Sequence, residues 1–211
     1  MKNSSLRGFT LIEMLTVMAV IAVLAGLILS VNGFAQRKAA TAKAEGEIAA
    51  ISAACETFKL ETGEFPQSED TDELDPRAHE EPVGKDKDVY RKACIDLYKD
   101  LSGDQEPQGD VDGKPEPGNK TYYTFETKLL NAKKDASGNG IEKVNFIQDP
   151  WANCYGYSTA GLKAEQEYRK QAQKRADAPR DNTRGYNPTF DFWSTAGSNA
   201  KNNKAKWVKN W

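Results

Sequence analysis

The sequence predicts an α+β protein, with one long N-terminal helix packed on a small antiparallel β-sheet. Three observations predict it. Met14 to Gln36 contain no charged residue, and Ala35 to Leu60 contain no proline. Beyond residue 63 the pattern changes to short aromatic and β-branched runs separated by Gly, Pro, Asp and Asn. The chain has 211 residues, which suits one ordinary domain with an appendage. Mean hydropathy is −0.72, low for a protein that must fill a core. The average conceals an uneven distribution, because much of the apolar content lies in the first 36 residues. Lys and Arg total 29 against 31 Asp and Glu, a net charge of −2. That balance lacks the basic excess a nucleic-acid partner calls for, so no nucleic acid is expected.

The N-terminal helix comes first. Met1 to Gly8 is short and polar and carries Lys2 and Arg7. The 23 uncharged positions from Met14 to Gln36 would span about 35 Å as a helix, enough for a hydrocarbon core of about 30 Å. Lys2 and Arg7 place the N-terminus in the cytoplasm by the positive-inside tendency, while Arg37 and Lys38 oppose it mildly. A cleaved secretory signal is shorter and lacks a carboxylate near its start. A plain anchor accounts for the length but not for Glu13, which is costly at a membrane edge unless paired.

Arg7-Gly8-Phe9-Thr10-Leu11-Ile12-Glu13 followed by the apolar run resembles the class III signal of type IV pilins and of the pseudopilins of type II secretion systems. The resemblance implies cleavage by a prepilin peptidase between Gly8 and Phe9 and N-methylation of Phe9. It gives Glu13 the place of the assembly glutamate, five residues into the mature chain. Gly8, lacking a side chain, lets the scissile backbone enter a narrow cleft. Loss of Lys2 and Arg7 takes the side-chain charge from −2 to −4. Glu13 then pairs with the amino terminus of a neighbouring subunit, or its own, and fixes axial register. Ser30 stands where the family often has proline, so Gly26 and Gly33 must supply any helix flexibility.

The helix is expected to continue past the membrane. Ile48, Ile51, Cys55 and Phe58 recur at spacings of three and four, a stripe for packing on the head. Thr62-Gly63 ends it, with Gly63 as a left-handed cap. The sequence thus divides into a leader (1–8), a transmembrane and assembly helix (9–36), its periplasmic continuation (37–62) and a globular head (63–211).

In the head, the acidic stretch Gln67 to Lys87 reads as an exposed loop holding His79. Val89 to Leu101 reads as a helix with Ala93, Leu97 and Leu101 on one face, and Asp104 to Lys120 as a loop. Thr121 to Phe125 reads as a strand that could lead into a helical Glu126 to Lys134. Asp135 to Ile141 imitates the start of a calcium loop, but its twelfth place is Phe146, so it reads as a turn. Ile147-Gln148-Asp149-Pro150-Trp151-Ala152-Asn153-Cys154-Tyr155-Gly156-Tyr157 resembles the Asp-Pro-Trp signature of major (protein G) pseudopilins. Ala152 and Cys154 replace the usual Gly and Pro, which predicts a slightly different turn. Leu162 to Ala178 reads as an inserted surface helix or loop. Phe190-Asp191-Phe192-Trp193-Ser194-Thr195-Ala196-Gly197 resembles a second strand of that family, and the Asn210-Trp211 close is similar to many relatives. The family holds calcium in the loop that here runs from Ser198 to Lys204. This loop has no carboxylate, so no cofactor is expected, calcium having only weak support.

Cys55, Cys94 and Cys154 would all face an oxidising compartment. Spacing does not choose a pair; a Cys94–Cys154 bridge with a free Cys55 is the expectation. One His and no P-loop, GxSxG or CxxC leave no basis for an enzyme. The reading is a non-enzymatic subunit in the bacterial inner membrane, single-pass, with a periplasmic head. Its partners would be further copies of itself, prepilin peptidase, minor pseudopilins, the inner-membrane assembly platform and the membrane. The alternatives are a type IV pilin of a surface fibre and a membrane-anchored periplasmic enzyme or binding protein.

Overall fold

A computed structural model describes residues 10–106, 111–138, 140–198 and 204–211, with the side chains of 27–32 excepted. The chain forms two compact units, one ending at Ala40 and the other running Thr41–Trp211. Helix α1 runs Leu11–Thr62. It starts at a reciprocal cap. Thr10 Oγ1 accepts from Glu13 N at 3.3 Å, and Glu13 Oε2 accepts from Thr10 N at 2.8 Å. It stops at Gly63, whose φ of 90° is left-handed and whose N–H returns to Lys59 O at 2.8 Å.

In the first unit the apolar residues from Leu11 to Leu24 lie on every side of α1 and are at least half exposed, Leu11 at 84%. A helix apolar all round cannot be covered by one packing partner. Among the described residues, no helix is long and apolar enough to cross a membrane. The span expected at 9–36 includes residue 9 and the side chains of 27–32, which lie outside the described residues.

The second unit builds its core on the remainder of α1. Ala44, Ile48, Ile51, Ala54 and Cys55 are buried, with Phe58 packed beside them. The three- and four-residue spacing therefore does face a core, and it places 41–62 with the head rather than apart from it. Helix α2 is Glu69–Glu73, α3 Lys87–Ser102 and α4 Ala160–Ala172. Ser68 and Thr71 cap α2 reciprocally, and Ser68 Oγ donates to Asp96 on α3 at 2.6 Å. Helix α3 buries Tyr90, Ala93, Cys94, Leu97 and Leu101 and ends at left-handed Gly103.

The expected sheet is present but divided in two. Strands β1 (Leu130–Lys134) and β2 (Ile141–Ile147) form an antiparallel hairpin with two register irregularities. Strands β3 (Gly156–Ser158), β4 (Asp191–Ser194) and β5 (Val208–Lys209) form an antiparallel sheet in that order. The turn at Asp149 separates them, with the Gln148–Cys154 bridge and the Tyr155 N–Ile147 O bond of 3.1 Å at its base.

Two local expectations fail for physical reasons. Thr121 to Phe125 is not a strand, because Tyr122 N and Tyr123 N donate to Leu101 O, an end carbonyl of α3, at 2.8 and 3.0 Å. Residues 130–134 pair as β1 instead of coiling, so long-range pairing overrides helix propensity. The turn at Asp135 makes that hairpin, with Gly138 N donating to Asp135 O at 3.0 Å. Phe146, at the place where a calcium loop needs an acid, is buried in β2.

Candidate functional site: the N-terminal signal and the Asp149 turn

Of the signal residues, Gly8 and Phe9 lie outside the described residues; Glu13 lies within them. Glu13 Oε2 takes hydrogen bonds from both Thr10 N and Thr10 Oγ1, each 2.8 Å long. Thr16 Oγ1 donates to Glu13 O at 2.9 Å. Glu13 therefore has a role in its own helix, satisfying a backbone donor that the first turn leaves free. The Thr-x-x-Glu spacing before an apolar run signals this cap, and sequence reasoning centred on assembly passed over it. Its neighbours Leu11, Ile12, Met14 and Leu15 are exposed, so the carboxylate lies in an open apolar band.

The second constellation joins the two segments that the sequence singled out in the head. Asp149 is buried. Its Oδ1 accepts from Trp151 N at 2.9 Å and Asn153 N at 2.8 Å, and its Oδ2 accepts from Ser194 Oγ. Ser194 Oγ in turn accepts from Ala196 N at 3.0 Å. One carboxylate thus closes its own turn and anchors it to the end of β4. Burial pushes its carboxyl above the usual range, and the three donors pull the other way. Ala152, where the resemblance has glycine, adopts φ 63°, so the turn keeps a left-handed residue and bears its cost. Gly197 has φ 71°, and a Cβ there would lie 2.9 Å from Trp151 Cδ1, so the Trp151 ring rests on that glycine.

Behind this turn the aromatic core is dense. Trp193 stacks on Trp207 at 5.8 Å and 8° and meets Tyr90 edge-on at 5.6 Å. Trp193 Nε1 donates to Tyr90 Oη at 3.2 Å. Gly156 lies against the Trp193 ring, and a Cβ there would stand 2.2 Å from Trp193 Cε2. Tyr155 Oη donates to Glu47 of α1 at 2.7 Å, and Tyr157 Oη to Pro66 O at 2.8 Å.

The Gln67–Lys87 segment differs from the exposed loop expected. Asp72, Asp75 and Asp86 are buried. Asp72 Oδ1 accepts from Thr159 Oγ1 at 2.8 Å, and Asp75 Oδ1 from Arg77 N at 2.9 Å and Gly185 N at 3.2 Å. Asp191 accepts from Tyr186 N at 2.7 Å and Asn187 N at 2.9 Å. Asp75 and Asp191 hold turns and Asp72 ties α2 to Thr159, roles that composition alone does not reveal. His79 Nδ1 accepts from Asp75 N at 3.1 Å, so the lone histidine is also part of that turn.

Cys94 and Cys154, the pair expected to bridge, are neighbouring buried thiols, and Cys55 is a buried thiol as well. Each member of the pair is engaged with backbone. Ile147 N donates to Cys94 Sγ at 3.2 Å, and Cys154 Sγ donates to Tyr155 O at 3.3 Å. Burial pushes the Cys55 thiol up. The loop given to calcium by the resemblance falls mostly on 199–203, outside the described residues.

Residues 4–29 match the prokaryotic N-terminal methylation motif, the signal of type IV pilins and pseudopilins. No curated protein and no solved structure matches the chain. The fold of a long N-terminal helix followed by small antiparallel sheets is consistent with that of type IV pilin-like subunits. In type IV pilin-like proteins this motif is the signal that prepilin peptidase processes.

Proposed function

We propose that the chain is a pseudopilin of a type II secretion system, of the major kind, built into a periplasmic filament whose growth exports folded proteins. The observation that carries this reading is the methylation motif at residues 4–29 opening onto a helix that is apolar on all sides. Prepilin peptidase cuts between Gly8 and Phe9 and methylates Phe9. Residues 9–36 hold the subunit in the inner membrane with the head periplasmic, and then pack against other copies in the filament. Residues 37–62 continue the helix, and 63–211 form the head. Minor pseudopilins and the inner-membrane platform are the other partners. The subunit performs no catalysis.

Glu13 Oε2 is engaged with Thr10, and Oε1 takes the amino terminus of Phe9 of a neighbouring copy. Removing water around the packed helices strengthens that pair, and an unpaired carboxylate there is expensive. The Asp149 turn and its link to Ser194 favour secretion over a surface fibre, because both lie in segments that resemble major pseudopilins.

The test is a comparison of exported proteins from wild type and a strain lacking this chain. Loss of proteins bearing ordinary signal peptides from the medium, with their accumulation in the periplasm, is the expected result. An unchanged medium together with loss of surface fibres would assign the chain to a type IV pilus.

A further inference from the structure

We propose that the loop after α3 is a calcium site built from Asp104, Glu106 and Asp112. One carboxylate oxygen from each lies within 4.8 Å of the other two. Oxygens on opposite sides of a calcium ion stand about 4.6–5.2 Å apart, given bonds of about 2.3–2.6 Å. An acid cluster alone is commonplace, but Asp104 is different. Its side chain is fully buried, directly after left-handed Gly103. Oδ2 accepts from Gly113 N at 2.9 Å, which brings Gly113 back to it. Oδ1 is buried and has no hydrogen-bond partner. A buried carboxylate oxygen without a donor costs free energy, and two further acids beside it raise that cost. A dication removes both penalties at once.

Glu116 stands at the same loop. Its Oε2 accepts from Asn119 Nδ2 at 3.2 Å, while Oε1 is buried without a partner. Lys114 Nζ lies 2.7 Å from Asp112 Oδ2, and its side chain is 76% exposed. It is a rim charge that can swing into water. All the donors are oxygen, which suits calcium over zinc or copper. Magnesium demands near-ideal octahedral geometry and keeps several of its waters, whereas calcium accepts an irregular set of carboxylates from a loop. The site uses no residue of 107–110 and is distinct from the 198–204 loop. It does not depend on whether the filament serves secretion or a pilus.

Calcium binding to the full chain in detergent, stripped of metal, tests the proposal by titration calorimetry and by thermal unfolding. A single calcium per chain is expected, with Kd in the range of about 10⁻⁴–10⁻³ M or tighter. Asp112→Asn should weaken it by at least about tenfold, because one of three charged ligands loses its charge. Asp104→Asn should abolish it. Asp135→Asn, in the β1–β2 turn, should bind as wild type. Should Asp104→Asn fail to fold, Asp112→Asn decides. Absence of binding at about 10 mM calcium, magnesium binding of equal strength, or wild-type affinity in Asp112→Asn would each overturn the site.

Discussion

Glu13 and Asp149 are both carboxylates held by hydrogen bonds to nearby backbone, yet they serve opposite ends. Glu13 is satisfied within three residues, and the apolar side chains beside it remain exposed. Asp149 is buried and reaches Ser194, 45 residues further along the chain. A polar group satisfied locally leaves its surroundings free for another chain. One satisfied at long range closes the structure on itself. The unit ending at Ala40 thus has polar groups in order and apolar surface unspent, whereas Thr41–Trp211 buries both. That contrast is what a subunit needs if its helix polymerises while its head stays folded.

The largest break in the comparison is at Glu13. Glu13→Ala and Glu13→Gln should both abolish filaments counted by electron microscopy. Gln keeps an acceptor for Thr10, so its helix content by circular dichroism should match wild type, while Ala loses a cap worth about 0.5–2 kcal/mol. Normal filaments from Glu13→Gln would show that the cap, not the charge, is what assembly uses.

On the head side, Gly156→Ala should be the most damaging, destabilising by about 3 kcal/mol or more, because the new Cβ meets a fully buried Trp193 that has nowhere to go. Filament-independent urea unfolding of the detergent-solubilised chain measures it. Asp149→Ala should follow at about 2–4 kcal/mol, since it strands two backbone donors and the Ser194 hydroxyl. A loss under about 0.5 kcal/mol would mean that water replaces the carboxylate and the turn is not an anchor.

Acidity should sharpen the same contrast. Burial raises Asp100 and Asp191 to about 6 from an ordinary 3.8, with Asp96 adding to the first and Asp75 to the second, and Lys99 and Arg77 opposing. Above pH 6 both folded and unfolded chains carry the charge, and only the fold bears its burial. As pH falls through about 6 the folded state takes up the proton first, so stability rises until the unfolded chain protonates near 3.8. The head should be more stable at pH 5 than at pH 7 by on the order of 1–2 kcal/mol. Greater stability at pH 7 would mean that the hydrogen bonds to Asp191 outweigh its burial. The smallest effect is a gain: Ala152→Gly relieves a left-handed alanine and should stabilise by about 0.5–1 kcal/mol, read as a higher urea midpoint.

Much of the fold was legible in the sequence because its signals are local. The α1 stripe from Ile48 to Cys55, the stop at Gly63, the face of α3 and the strand around Phe192 follow from periodicity and single turn residues. Several of the failures are long-range. Nothing near Thr121 announces that Leu101 O will take its neighbours' N–H groups, and nothing near Asp75 announces Gly185. The burial of Asp104 is likewise not written in its local sequence, while the Thr10–Glu13 cap was readable from spacing alone.

Residues 4–29 are proposed to make this chain a processed filament subunit. The most direct measurement is the mass of the N-terminal peptide of the chain purified from its native membranes. A chain that begins at Phe9 with a methylated amino group is the expected result. A chain that retains Met1 to Gly8 would contradict it.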